Sequence, residues 1–212
     1  MTPINPSSAF GSPHHQRCIL LLDTTIAMAE APINALNEGL AVLHQGLIEH
    51  PDLAPSLELG IIALGNGPTL VVPPKLVTAE PFPELEACGF TPARDGVAMA
   101  LSYLRVPQGA PTPWFIHIAS QPGVQPSVLS HQVLDIELSQ ALAPFHSLTI
   151  TLNVPSNRLT PPGKLAFHLR EHRFPQFFDW LVEAFDYRMQ CDCDLPISTA
   201  YSWAHLDTLP HD

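Results

Sequence analysis

Asp23 and Thr25 place a carboxylate and a hydroxyl at alternate positions of one short loop, Asp23-Thr24-Thr25-Ile26-Ala27, directly after the apolar run Cys18–Leu22. Such a pair suits a hard cation. Mg²⁺ takes about six oxygen ligands and keeps waters where protein oxygens run out. Ala27, the next alternate position, has no oxygen to offer. A plainer role competes: an aspartate at a strand end accepts hydrogen bonds from loop amides.

Other chemistry-bearing residues are fewer. Cys191 and Cys193, with His205 and His211 beyond, offer thiolates that would suit zinc. Their spacing is Cys-x-Cys and no second pair follows, so a solvated tail is the expectation. His117 sits between Ile116 and Ile118, and reads as a satisfied core histidine rather than a general base. There is no Gly-x-Ser-x-Gly elbow and no Gly-x-x-x-x-Gly-Lys phosphate loop. Gly65-Asn66-Gly67 is a hairpin turn signal, not a dinucleotide fingerprint. No acid–base pair stands out, and a non-enzyme is expected.

The elements that must position these residues follow from periodicity. Cys18–Leu22 reads as a strand buried on both faces. Ile33, Leu36, Leu40, Leu43 and Leu47 form one helical stripe behind Pro32, and His50-Pro51 ends it. Residues 57–64 form a second strand, paired through the glycine turn with residues 69–72, where Pro73 and Pro74 close the hairpin. Thr91 is expected to cap a helix opened by Pro92. Residues 114–119 give a buried strand, about 127–143 a helix, 147–152 a strand and 174–188 an aromatic-rich helix. Most aromatics of that helix are expected in the core, although exposed ones would serve as protein anchors. The order β-α-β-β-α-β-α-β-α predicts an α/β fold with a mostly parallel sheet and one antiparallel edge strand. In such sheets ligands bind at the carboxyl ends of strands.

The chain has 212 residues, 46% of them hydrophobic and 14% charged, which is a globular composition. Its formal charge of −11 repels phosphate backbones, so nucleic acid is not an expected partner. No apolar run suits a bilayer span, and no secretory leader opens the sequence, so no membrane partner and a cytoplasmic location are expected. The four cysteines are then reduced thiols. The 24 prolines mark loops and tails. The expected divisions are a flexible tail at residues 1–16, a domain at 17–190 and a C-terminal tail at 191–212.

With these features in order, the chain resembles the von Willebrand factor A family over roughly residues 17–188. More narrowly, it resembles the bacterial TerY-like branch associated with tellurite-resistance and stress operons. The resemblance is carried by ILLLDTTIAM (19–28), PINALNEGL (32–40), LGIIALGN (59–66), GFTPARDGVAMAL (89–101) and FPQFFDWLVEAF (174–185). It implies a Rossmann-like fold with helices on both faces and a metal-ion-dependent adhesion site at the top of the sheet. Carried over by residue, Asp23 matches the first aspartate of that site, Thr25 replaces the first serine and Ala27 the second. Thr91 matches the later threonine. Ser120 stands where the second acidic ligand belongs. Asp95, in the first turn of the following helix, is a candidate substitute for the lost carboxylate. The site implied is degenerate, with no resident cofactor. The alternative is weak Mg²⁺ or Mn²⁺ binding by Asp23, Thr25 and Thr91. The role implied is a protein–protein scaffold, with a kinase or phosphatase of the same operon as partner.

Overall fold

Strand β1 (Gln16–Asp23) is apolar on both sides because it lies in the middle of the sheet with a helix layer on each face. Cys18, Leu20 and Leu22 enter the larger core, and Ile19 and Leu21 enter a smaller one, as strand alternation requires. This computed structural model describes residues 15–120, 137–152, 165–191 and 197–206. The elements run β1, α1 (Ala31–Glu49), β2 (Leu57–Gly65), β3 (Gly67–Leu76), α2 (Ala93–Tyr103) and β4 (Trp114–Ala119). Then come α3 (described residues 137–142), β5 (His146–Thr151), β6 (Leu165–Leu169), α4 (Phe174–Cys191) and β7 (Ala204–Leu206).

The seven strands lie in the order β3-β2-β1-β4-β5-β6-β7. The pairs β2–β1, β1–β4, β4–β5 and β5–β6 are parallel. The α/β architecture with a mostly parallel sheet is therefore as expected, but both edge strands are antiparallel, not one. The chain leaves β1 toward β2 on one side and returns to β4 on the other. That reversal is the switch point at which such sheets bind ligands, and it falls at the carboxyl ends of β1 and β4, where Asp23 and Ser120 stand.

Helices α1 and α4 bury their apolar stripes against one face. The α4 aromatics Phe174, Phe177, Phe178 and Phe185 all enter the larger core. Val97, Ala100 and Leu104, from α2 and its end, join Leu142 of α3 on the opposite face. Gly96 lets α2 approach closely, since a Cβ there would lie 2.5 Å from Leu64 and 2.6 Å from Leu21. Arg17 anchors the other end of this helix from inside the protein. Its guanidinium holds Glu58 at 2.7 Å and donates to the Tyr103 carbonyl at 2.9 Å. That buried cation is thereby paired and hydrogen-bonded, the condition for keeping a charge out of water.

Several expectations need correction. Pro73 and Pro74 lie inside β3 rather than ending it. A proline lacks a backbone donor, which an edge strand tolerates, and here the two lie within a shift of register, between the Val72–Ile61 and Lys75–Leu59 pairs. Strand β6 was not expected, because five residues beside a proline-rich stretch carry little periodic signal. Residues 197–206 are not a solvated tail. They form a 3-10 turn (Ile197–Ser202) and β7, and they bury Ala200, Trp203 and Ala204 completely. Trp203 packs within about 5 Å of the rings of Phe167, Phe177 and Trp180. Cys191 ends α4 and is exposed, whereas Cys193, His211, most of the expected 127–143 helix and the N-terminal residues 1–14 lie outside the described residues. No helix among the described residues is long and apolar enough to cross a membrane.

Trp203→Ala tests the contribution of the C-terminal segment. It should cost about 3–5 kcal/mol, the range for truncating a buried tryptophan, read as a fall in the urea-unfolding midpoint. A loss below about 1 kcal/mol would return these residues to the surface.

Candidate functional site

The top of the sheet is organised by a carboxylate. Asp23 ends β1 and is only 7% exposed. Its Oδ1 accepts the Thr25 N–H at 2.8 Å. Its Oδ2 accepts both the Ser120 N–H at 3.1 Å and the Ser120 hydroxyl at 2.5 Å. A carboxylate oxygen has two good acceptor directions, so Oδ2 is fully engaged and Oδ1 has one left. Ser120, which replaces the expected second acid, thus spends its hydroxyl on the first.

The other expected residues are less convergent. The Thr25 hydroxyl is buried and has no hydrogen-bond partner among the described residues. Ala27 is exposed in a 3-10 turn (Ile26–Met28). Thr91 does not cap α2, and its hydroxyl is held by the β2–β3 turn, with one acceptor direction left. Its hydroxyl donates to the Gly65 carbonyl at 2.6 Å and accepts the Gly67 N–H at 2.7 Å, so it ties off the β2–β3 turn. Pro92 takes the N-cap position without any side-chain cap, and α2 begins one residue later than expected. Asp95 is exposed. Among the described residues no group of three or more His, Cys, Asp or Glu is placed to hold a metal ion. Four features make a poor fit to a hard divalent ion: one carboxylate, an engaged Oδ2, a committed Thr91 and an oxygen-free Ala27.

Backbone hydrogen bonds stitch the first loop to the segment before α2. Thr24 accepts from the Cys88 N–H at 2.9 Å, and the Ile26 N–H donates to Gly89 at 3.0 Å. Gly89 has φ +61°, and a Cβ there would lie 2.0 Å from the Asn66 side chain, so only glycine fits. Asn37 of α1 exchanges two hydrogen bonds with the Leu85 backbone, each 2.9 Å, and holds the rest of this segment over α1.

Two residues overlooked in the sequence now stand out. Ile26 is 62% exposed and Phe90 is 64% exposed, at and next to the Ile26–Gly89 hydrogen bond that ties the Asp23 loop to the segment before α2. Nothing in their local patterns announces it, because exposure of an apolar loop residue is decided by what packs over it. A groove of about 560 Å³ lies elsewhere, between β3 and residues 77–83, lined by Val71, Pro73 and Phe82.

His117 is also not what its pattern suggests. It is buried in β4, but both ring nitrogens lack partners among the described residues. Burial lowers its pKa from 6.5 to about 4, and the negative charge of Asp23 only partly offsets this. Leu21 is its register partner on β1, which puts Asp23 two residues on and on the same face of the sheet.

Neither a family model nor a curated protein matches the chain. Solved structures do. The D319A mutant of the PilB minor pilin from Streptococcus sanguinis superposes with a TM-score of 0.57 at 9% identity, over 84% of this chain and 63% of that one. Proximal thread matrix protein 1 from the mussel byssus superposes with a TM-score of 0.58 at 8% identity, over 79% of this chain and 47% of that one. The chain spans less than two thirds of the length of either protein, and what is shared at this identity is the fold.

Two measurements probe the site. Ser120→Ala should cost about 1–3 kcal/mol, because Asp23 keeps its burial and loses a hydroxyl donor. Equilibrium urea unfolding would read it, and an unchanged midpoint would mean Ser120 does not hold the carboxylate. For His117, the folded pKa of about 4 lies below the ordinary 6.5, so between those values the unfolded chain binds more protons. Its contribution is complete above the ordinary value and is lost as pH falls toward the folded one. His117→Gln should flatten the slope of unfolding free energy against pH in that window, and an unaltered slope would remove His117 as its source.

Proposed function

We propose that this chain is a von Willebrand factor A-like, Rossmann-like domain, not an enzyme, that binds another protein through the top of its sheet without a metal. The observation that carries the reading is the pairing of a quenched carboxylate with exposed apolar side chains. Asp23 is occupied by Ser120, while Ile26 and Phe90 stand open beside it. Exposed large apolar residues are costly to leave in water, and aromatics dominate the energy of protein interfaces. In this reading the domain is a cytoplasmic scaffold in a bacterial stress-response or phosphorylation-type module, with a kinase or phosphatase of the same operon as partner. That last step is analogy from the motifs around Asp23 and Thr91.

One observation favours a second reading, a receptor that holds Mg²⁺ or Mn²⁺ through Asp23, Thr25 and Thr91. The Thr25 hydroxyl is buried and unpartnered among the described residues. Against it stand the engaged Asp23 Oδ2 and the Thr91 hydroxyl bound to the hairpin.

The readings separate in a pull-down from the native host, run in chelator and in millimolar Mg²⁺. Metal-free recognition predicts the same captured partner in both buffers, and its loss with Ile26→Asp or Phe90→Asp. Capture that requires Mg²⁺, or that survives both substitutions, would overturn it. A repair experiment tests the ligand alignment. Ala27→Ser with Ser120→Asp sets a second carboxylate against Asp23, so the double variant should melt lower in chelator and recover when Mg²⁺ is added. No recovery would show that these positions do not converge on a cation.

A further inference from the structure

The charge around Ile26 and Phe90 narrows what their partner can be. Residues 18–93 contain nine acidic side chains and one basic one, Lys75, and so carry most of the net charge of −11. Three exposed carboxylates are tethered near the apolar pair. Glu30 closes the loop that begins at Asp23, Glu86 lies two residues before the Cys88–Thr24 hydrogen bond, and Asp95 is in the first turn of α2. None of the three makes an ion pair among the described residues. The basic residue nearest in sequence, Arg94, is half-buried with Nη1 withdrawn from solvent.

We propose that the Ile26–Phe90 surface takes a cationic amphipathic segment of a partner protein. Its apolar side chains cover Ile26 and Phe90, and its lysines or arginines face Glu30, Glu86 and Asp95. This rests on the reading of the top face as a protein-binding surface, and adds the chemistry of the partner. An apolar centre with a charged rim is the usual anatomy of a specific interface, and complementary rim charge supplies orientation and encounter rate. The same carboxylates repel nucleic acid and anionic lipid, and this selects a protein among the macromolecules that would otherwise meet an exposed apolar pair.

Two synthetic peptides of equal length test it on the full chain by fluorescence anisotropy. They share leucine and phenylalanine at the same positions and carry either lysine or glutamate at the others. The lysine peptide should bind at least about tenfold tighter, and the difference should shrink as salt is raised. Neutralising the rim with Glu30→Gln, Glu86→Gln and Asp95→Asn should weaken its binding about tenfold. Neutralising the distant, exposed Asp52, Asp179 and Glu183 to amides should change it less than about twofold. Equal losses in the two triple variants, or no binding of the lysine peptide, would overturn the proposal. Binding lost with Ile26→Ser and Phe90→Ser but unmoved by the rim variant would overturn the cationic partner and leave the top-face reading standing. Lysine-peptide binding untouched by the two serine variants would overturn both.

Discussion

A carboxylate removed from water must find its donors inside the protein, and the top of this molecule is arranged around that requirement. Asp23 has two sources of donors, the Thr25 amide in its own loop and Ser120 at the end of the neighbouring strand. Meeting the requirement joins the ends of β1 and β4 across the point where the chain reverses direction through the sheet. The Thr25 bond closes the loop back on itself, and Ile26, the next residue, is exposed. A second acid in place of Ser120 would face Asp23 as a like charge and would need a cation between them. With serine, the carboxylate keeps its charge and receives two hydrogen bonds from Ser120 instead of facing a like charge.

The rest of the top face repeats this internal satisfaction. Thr91 spends its hydroxyl on the hairpin backbone at Gly65 and Gly67, and the segment before α2 is bonded to the Asp23 loop through Cys88 and Gly89. Oxygen atoms that could have turned toward a ligand are used to fix loops. What remains presented to solvent is apolar, at Ile26 and Phe90, with carboxylates around it. Two groups stand outside this internal accounting among the described residues: the buried Thr25 hydroxyl, and His117, a fully buried ring whose nitrogens meet no partner and whose burial favours the neutral form.

The opposite end of the sheet shows how the scaffold keeps that face in place. Arg17 joins Glu58 on β2 to the carbonyl of Tyr103 at the end of α2, so one buried guanidinium sets the helix against two strands. Asn37 and the Leu85 backbone do the same for the strap over α1. These ties run between elements far apart in sequence. The long loop before Thr91 is therefore held in a defined path despite its prolines.

Local pattern was enough for β1, β2 and β4 and for three of the helices. Continuous apolar runs at β1, β2 and β4 can only be buried on both faces, and the stripes of α1 and α4 repeat at the helical period, so their packing direction was readable. The glycine turn between β2 and β3 was equally plain, because few residues accept that backbone. Asp23 was legible as a strand-end acid, and Ser120 as the position where a second acid was missing. Tertiary structure alone decided that Ser120 donates to Asp23, that Thr91 faces the hairpin, that prolines can sit in β3, and that Trp203 belongs to the core. Each of these depends on a neighbour brought in from elsewhere in the chain. Hydrogen-bond direction, edge position and exposure are properties of such neighbours, and no periodicity in one segment encodes them.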